Sequence, residues 1–312
     1  MHLQEIIARH PRRPAGRVPD WMMGLYRRHC IAFADGTSDI ETQVFWLQSC
    51  NFSIDLRLPR QDQIVATAKP WAAYSKAELE VLGNYEGWVA ESDWDGVQLV
   101  WREPTALQLH DRWPEPAPLQ RVGNCMVEFA PSGAYVEDWR LRPSKPGPLV
   151  GLRLIEETDV NTGRVLHRGG GLIVSGDHAG LVLGRVEPPV GDGSFRQQVL
   201  ASTGNEQDLR SLFNFETSIA RGSMQNGFSV THSTLPGRVG QPLFAQDGFC
   251  IDADGMVRQV LTRDGITRER RFEVDVIQPE MHWPDSTPQT DAASAWRERE
   301  SATLSRYTHA LT

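Results

Sequence analysis

The chain has 312 residues, 40% hydrophobic and 23% charged. That composition is ordinary for a globular protein long enough to bury a full core without disulfides. Its formal charge of −8, with arginines scattered among acids, repels phosphate backbones and argues against nucleic acid as a partner. Cys30, Cys50, Cys125 and Cys250 lie far apart with no C-x-x-C pair. The opening residues 1–10 hold no apolar run suited to export, and no stretch approaches the ~20 apolar residues of a membrane helix. The expectation is a soluble cytoplasmic protein with reduced thiols and no membrane contact.

In chain order, residues 24–34 lead into Asp35-Gly36, the first of a series of hairpin turns. Trp-Leu-Gln at 46–48 belongs to a strand that turns into Ile54-Asp55-Leu56-Arg57-Leu58-Pro59. Ser75-Lys76-Ala77-Glu78 is a capping-box pattern that opens a short helix over 75–82, closing near Gly83. Asp95-Gly96 marks the next hairpin. The proline-rich stretches Trp113-Pro114-Glu115-Pro116-Ala117-Pro118 and Pro143-Ser144-Lys145-Pro146-Gly147-Pro148 read as linkers or crossings excluded from central strands.

Beyond them, Asn161-Thr162-Gly163, Asp192-Gly193, Asn226-Gly227, Asp247-Gly248, Asp254-Gly255 and Asp264-Gly265 supply further turns. The tail from Asp291 carries Ala293, Trp296, Leu304, Tyr307 and Leu311 at helical spacing, interrupted by Glu300. It is expected to dock on the body of the protein through Trp296, Leu304 and Tyr307.

Many short strands with frequent turns predict an all-β, mainly antiparallel fold: a lipocalin-like barrel or two related barrels, with a short helix near 75–82 and a C-terminal helix as the main helices. The second proline cluster divides the chain into 1–143, 144–285 and a helical tail, 286–312. A short internal similarity supports two related halves. Phe45-Trp46-Leu47-Gln48 with Asp55-Leu56-Arg57 matches Met126-Val127-Glu128-Phe129 with Asp138-Trp139-Arg140, each ending near a proline.

The short strands, the Trp-Leu-Gln strand and the Gly87-Trp88 pair resemble the calycin, or lipocalin-like, superfamily. In that superfamily the glycine and tryptophan are separated by one residue; here they are adjacent. The resemblance implies an antiparallel barrel whose lumen binds a small, often apolar, molecule, with a few members acting as enzymes or haem binders.

Standard catalytic signatures are missing: the sequence has no G-x-S-x-G, no P-loop and no H-E-x-x-H. Asp252-Ala253-Asp254-Gly255 opens like a calcium loop, but Arg263 stands where a bidentate Glu is required. The histidines show no paired metal spacing, so no metal site is expected. Strand parity supplies the candidates. Glu137 shares a face with Tyr135, Trp139 and Leu141, and Glu128 shares one with Met126, at the position Gln48 occupies beside Trp46. A carboxyl on an apolar face is either paired or raised in pKa and able to act as a general acid or base. Arg57 and Arg140 stand two residues from Asp55 and Asp138, which reads either as structural salt bridges or as a cluster gripping a small anion. Arg185 lies beside a strand. His232, between Val230 and Thr234, is the histidine most clearly within a strand.

Two classes of function follow. One is a cofactor-independent lyase, hydratase or isomerase working by acid–base chemistry on a small organic substrate, anions included. Glu137, Glu128 or His232 would move protons, and Arg57, Arg140 and Arg185, with Trp46, Gln48 and Trp139, would bind substrate. The other is a carrier of a small apolar molecule, with haem held by His232 as a lesser option. A homo-oligomer is compatible with either.

Overall fold

The computed structural model describes residues 1–110, 115–189, 193–283 and 290–307. Its elements are α1 (Leu3–Arg9), β1 (Gly24–Phe33), β2 (Ser38–Asp39), β3 (Gln43–Gln48), β4 (Phe52–Leu58), α2 (Lys76–Leu82), β5 (Glu86–Trp94), β6 (Gln98–Ala106), β7 (Ala117–Val122), β8 (Cys125–Phe129) and β9 (Tyr135–Leu141). The second half holds β10 (Gly147–Asp159), β11 (Val165–Arg168), β12 (Gly170–Ser175), β13 (His178–Leu183), α3 (Phe195–Ala201), α4 (Glu206–Leu212), β14 (Glu216–Ser223) and β15 (Gly227–Ser233). It ends with β16 (Phe249–Ile251), β17 (Val257–Arg263), β18 (Ile266–Met281) and α5 (Asp291–Tyr307).

All strand pairs are antiparallel. The first sheet runs β1-β3-β4-β5-β6-β7-β8-β9 and closes through β1–β9, forming an eight-stranded barrel with β2 alongside the upper half of β1. The second sheet runs β15-β14-β13-β12-β10-β18-β17-β16, with β11 beside β10. Among the described residues its end strands do not pair, so one barrel closes and the second sheet remains open. No described helix is long and apolar enough to cross a membrane, and the four cysteines are unpaired.

The turn chemistry read from sequence operates where expected. Asp35-Gly36, Asp95-Gly96, Asn226-Gly227, Asp254-Gly255 and Asp264-Gly265 join consecutive strands. Only Asp264-Gly265 has positive φ at both residues, 54° and 74°, the type I′ requirement. Asp192 lies outside the described residues. Ser75 caps α2, accepting from the Glu78 amide while the Glu78 side chain accepts from the Ser75 amide.

Three short helices were not anticipated. His2–Glu5 and Ser194–Gln197 are reciprocal caps, and Asn205 caps α4 through the amides of Gln207 and Asp208. The prolines also need correction: Pro118 sits in β7 and Pro148 in β10, each one residue into its strand, where a missing N–H costs little. Trp113 and Pro114 lie outside the described residues.

The strands have two useful faces. Outward side chains of β3 and β4, Phe45, Leu47, Ile54 and Leu56, pack with Ile173, Val182 and Ile219 of the second sheet and with Leu79, Phe195 and Leu209 of the helices. Gly180 permits this approach, because a Cβ there would stand 2.9 Å from Leu47 Cδ2. A polar lock joins the same layers. Asp275 on β18 accepts from Ser49 Oγ at 2.6 Å and from Asn51 Nδ2 at 2.6 Å. The opposite face of the second sheet encloses a solid core of its own, including Leu152, Leu172, Leu181 and Phe272, capped by Leu3, Ile6 and Ile7 of α1.

α5 forms, but Trp296 does not dock as expected. Trp296 is 50% exposed and Ala293 is also exposed, while Leu304 is half-buried. The run Arg297-Glu298-Arg299-Glu300 interrupts the apolar stripe, and the apolar sheet faces are already covered by each other and by the shorter helices. The side chain of Tyr307, and Leu311, lie outside what the structure describes.

Candidate active site in the mouth of the barrel

The inward side chains of the barrel form layers. At the bottom, Trp46 packs against Tyr26, Trp101 and Trp139 with ring centroids 5.7, 5.9 and 5.7 Å away. Trp46 donates to Gln48 Oε1 at 2.9 Å, and Gln48 donates onward to the carbonyls of Ser49 and Phe52. Trp46 and Gln48, singled out from sequence as ligand-binding, are thus a hydrogen-bonded floor. Trp139 is buried in the same layer, with its indole N–H turned upward.

Above the floor lies a layer of ionisable groups. Glu128 on β8 and Glu137 on β9 are direct cross-strand partners, both buried and facing inward. Directly opposed like charges are unfavourable, more so out of water, unless something neutralises them. Their surroundings treat the two differently. Glu137 accepts from Arg28 Nη1 at 2.8 Å, and Arg28 Nη2 binds Asp39 at 2.9 Å. Glu128 accepts from the Trp139 indole at 3.0 Å and from the Tyr135 hydroxyl at 3.4 Å, neither of them a cation. Burial pushes the Glu128 carboxyl far above its ordinary range and the neighbouring Glu137 adds to the effect, while the Arg57 charge opposes it.

Asp55 and Arg57 of β4 complete the layer. Arg57 Nε donates to Asp55 at 3.0 Å, and its guanidinium lies 4.8 Å from the Trp88 ring centre. Burial raises Asp55 to about 6, against the pull of Arg57.

A cavity of about 610 Å³ opens over this layer. Arg57, Glu128, Glu137 and Arg185, all singled out from sequence, line it, with Glu86, Trp88, Trp101 and Tyr135. Arg168 at the end of β11, Gly169 beside it, and Arg185 with the Pro188-Pro189 pair in the connection after β13 add to its rim, so residues of both halves of the chain line the cavity. Arg185 is bound there by carbonyls, donating to Leu212, Ala106 and Leu107 at 2.7, 3.2 and 2.8 Å. Burial without a carboxylate lowers it to about 10.

Other candidates lie elsewhere. Asp138 and Arg140 pair with each other at 2.8 Å on the outer face of β9. The two Asp-x-Arg segments therefore face opposite ways, because Glu137 and Trp139 take the inward positions in the second copy. His232 Nε2 meets Gln43 Oε1 at 3.1 Å, and its ring is 4.3 Å from that of Phe45, between the sheets rather than in a cavity. Burial pushes it down to about 4, so it is neutral near pH 7.

Arg28 and Tyr135 were not proposed as site residues. Tyr135 was visible as a member of the Glu137 face. Arg28 stands two residues from Tyr26, before the bulge between Arg28 and Cys30, so plain alternation along β1 places it on the same inward face. No family model, curated protein or solved structure matches this chain.

Proposed function

We propose that the chain is a cofactor-independent acid–base enzyme of the lyase, hydratase or isomerase type, acting on a small organic molecule in the mouth of the barrel. The observation that carries this reading is the Glu128–Glu137 pair: adjacent buried carboxyls, of which, among the described residues, only Glu137 has a guanidinium partner. A neutral acid beside a carboxylate is the arrangement needed to give a proton at one atom and accept one nearby. Glu128 is the acid and Glu137 the base. Arg57, aligned by Asp55, supplies positive charge toward an oxygen that becomes negative in the transition state.

The test is proton exchange. The protein is incubated in D₂O with a panel of small ketones, enones and hydroxy acids, and proton NMR follows exchange or conversion. Glu128→Gln keeps the shape and should lower the rate by ~10²–10⁴-fold; an unchanged rate removes the assignment.

Carriage is the second reading. It is favoured by the closed aromatic floor and by the apolar wall of Trp88, Val100, Trp101 and Leu109. Binding with no exchange of any bound compound would support it.

A further inference from the structure

The acid–base reading leaves one cation of the cavity unused. Arg185 follows β13 and is fixed where the two halves of the chain meet. Its Nε donates to the carbonyl of Leu212 at the end of α4, and Nη1 and Nη2 donate to those of Ala106 and Leu107 where β6 ends. The rings of Phe195 and Phe215 lie 4.9 and 5.4 Å from its guanidinium carbon. These contacts hold the side chain in one place but bring no negative charge. Among the described residues Arg185 has no carboxylate partner, whereas Arg28 and Arg57 have theirs.

The carboxyls of the lining are placed elsewhere. Glu86 is the cross-strand partner of Arg57, Glu128 and Glu137 face each other on β8 and β9, and Glu115 accepts from the Ser132 amide in the β8–β9 turn. Burial alone acts on the Arg185 pKa, with no carboxylate near enough to oppose it. A cation partly withdrawn from water is stabilised by a counter-charge, and here the cavity is the side from which one can come.

The remaining donors indicate which anion fits. Three of the five N–H groups of the guanidinium are on carbonyls, which leaves one on each terminal nitrogen. Two donors and a single positive charge match the two oxygens and single charge of a carboxylate. A phosphate dianion would need a second cation, and Arg168 at the rim already stands 3.7 Å from Glu187.

We infer that Arg185 is the receptor for a substrate carboxylate, whose apolar body lies along Trp88, Val100, Trp101 and Leu109. The substrate class is then a small organic monocarboxylate. The receptor deepens the acid–base reading above, on which the place of reaction at Glu128 and Glu137 rests.

The test uses phenylbutanoate, phenylbutanamide and phenylbutylamine, which share one apolar body, titrated against the intact chain at neutral pH. Tryptophan fluorescence is the readout, since Trp88 and Trp101 line the cavity. The carboxylate should bind saturably and about tenfold or more tighter than the amide or the amine. Arg185→Gln should abolish that preference. If this variant fails to fold, Arg185→Lys keeps a cation for the carbonyls without the two-pronged contact, and should lose about tenfold in carboxylate affinity.

Equal or tighter binding of the amide or the amine to the unaltered chain, or no saturable binding of the carboxylate, overturns the receptor. So does an undiminished preference in folded Arg185→Gln, or an unchanged carboxylate affinity in Arg185→Lys. These failures are separable from that of the enzyme reading. Exchange lost in Glu128→Gln with no carboxylate preference overturns the receptor and keeps the acid–base reading. Carboxylate preference lost in Arg185→Gln, with no exchange of any compound, does the reverse.

Discussion

Replacing Glu128 with Gln should make the protein relatively more stable as pH rises, the reverse of what removing a useful carboxylate does. The folded-state pKa of Glu128 lies above its ordinary 4.5, so the folded chain holds this proton more tightly than the unfolded chain. That contribution is fully present below pH 4.5 and is lost as pH rises through the raised folded value. Fully buried carboxyls shift by ~3–5 units, and each unit corresponds to about 1.4 kcal/mol, so the difference should approach ~4 kcal/mol at alkaline pH. Gln fills the same volume, carries no charge and can still accept from the Trp139 indole. Urea unfolding of both proteins from acid to alkaline pH measures the difference directly, because the other titrating groups largely cancel. Parallel curves, or a wild type that gains on the variant as pH rises, would refute the argument that burial holds Glu128 neutral.

Asp275→Ala should cost ~2–4 kcal/mol, since it strands Ser49 and Asn51 at the seam between the sheets; urea unfolding at neutral pH reads it, and a loss below ~1 kcal/mol would mean that the lock contributes little. His232→Phe should remove an acid-side loss of stability. The folded pKa of about 4 lies below the ordinary 6.5, so the wild type weakens as pH falls between those values and the variant does not. Trp296→Ala on the exposed face of α5 should change stability by less than ~0.5 kcal/mol in thermal or urea unfolding; a loss of several kcal/mol would show that the helix docks after all.

The barrel was legible because its signals are local. Asp-Gly and Asn-Gly turns place strand ends, and alternation along Tyr135–Leu141 puts Glu137 and Trp139 on one face, which the barrel turns inward. Closure of only one sheet was not legible, because it depends on the β1–β9 pairing of residues more than a hundred positions apart. The candidate site followed the same division. Parity found Glu128, Glu137 and Arg57; Arg28, the residue that makes the two glutamates different, obeys the same alternation from Tyr26 along β1, but no apolar pattern marks its strand face in the sequence. Sequence similarity between the Asp-x-Arg segments suggested a shared role for Arg57 and Arg140. One residue of offset against the pleat put Arg140 on the outer face, where it pairs with Asp138. The tail shows the limit of periodicity: helical spacing predicted a helix correctly but could not say whether an apolar surface remained for it to cover.

The central claim is that Glu128 is a neutral acid poised at the cavity wall, and infrared spectroscopy of the carboxyl C=O stretch tests it most directly. Wild-type protein at neutral pH should show a protonated-carboxyl band that is absent from Glu128→Gln and retained when Arg57→Lys preserves the nearby positive charge. No such band at neutral pH, or an undiminished band in Glu128→Gln, would contradict the account.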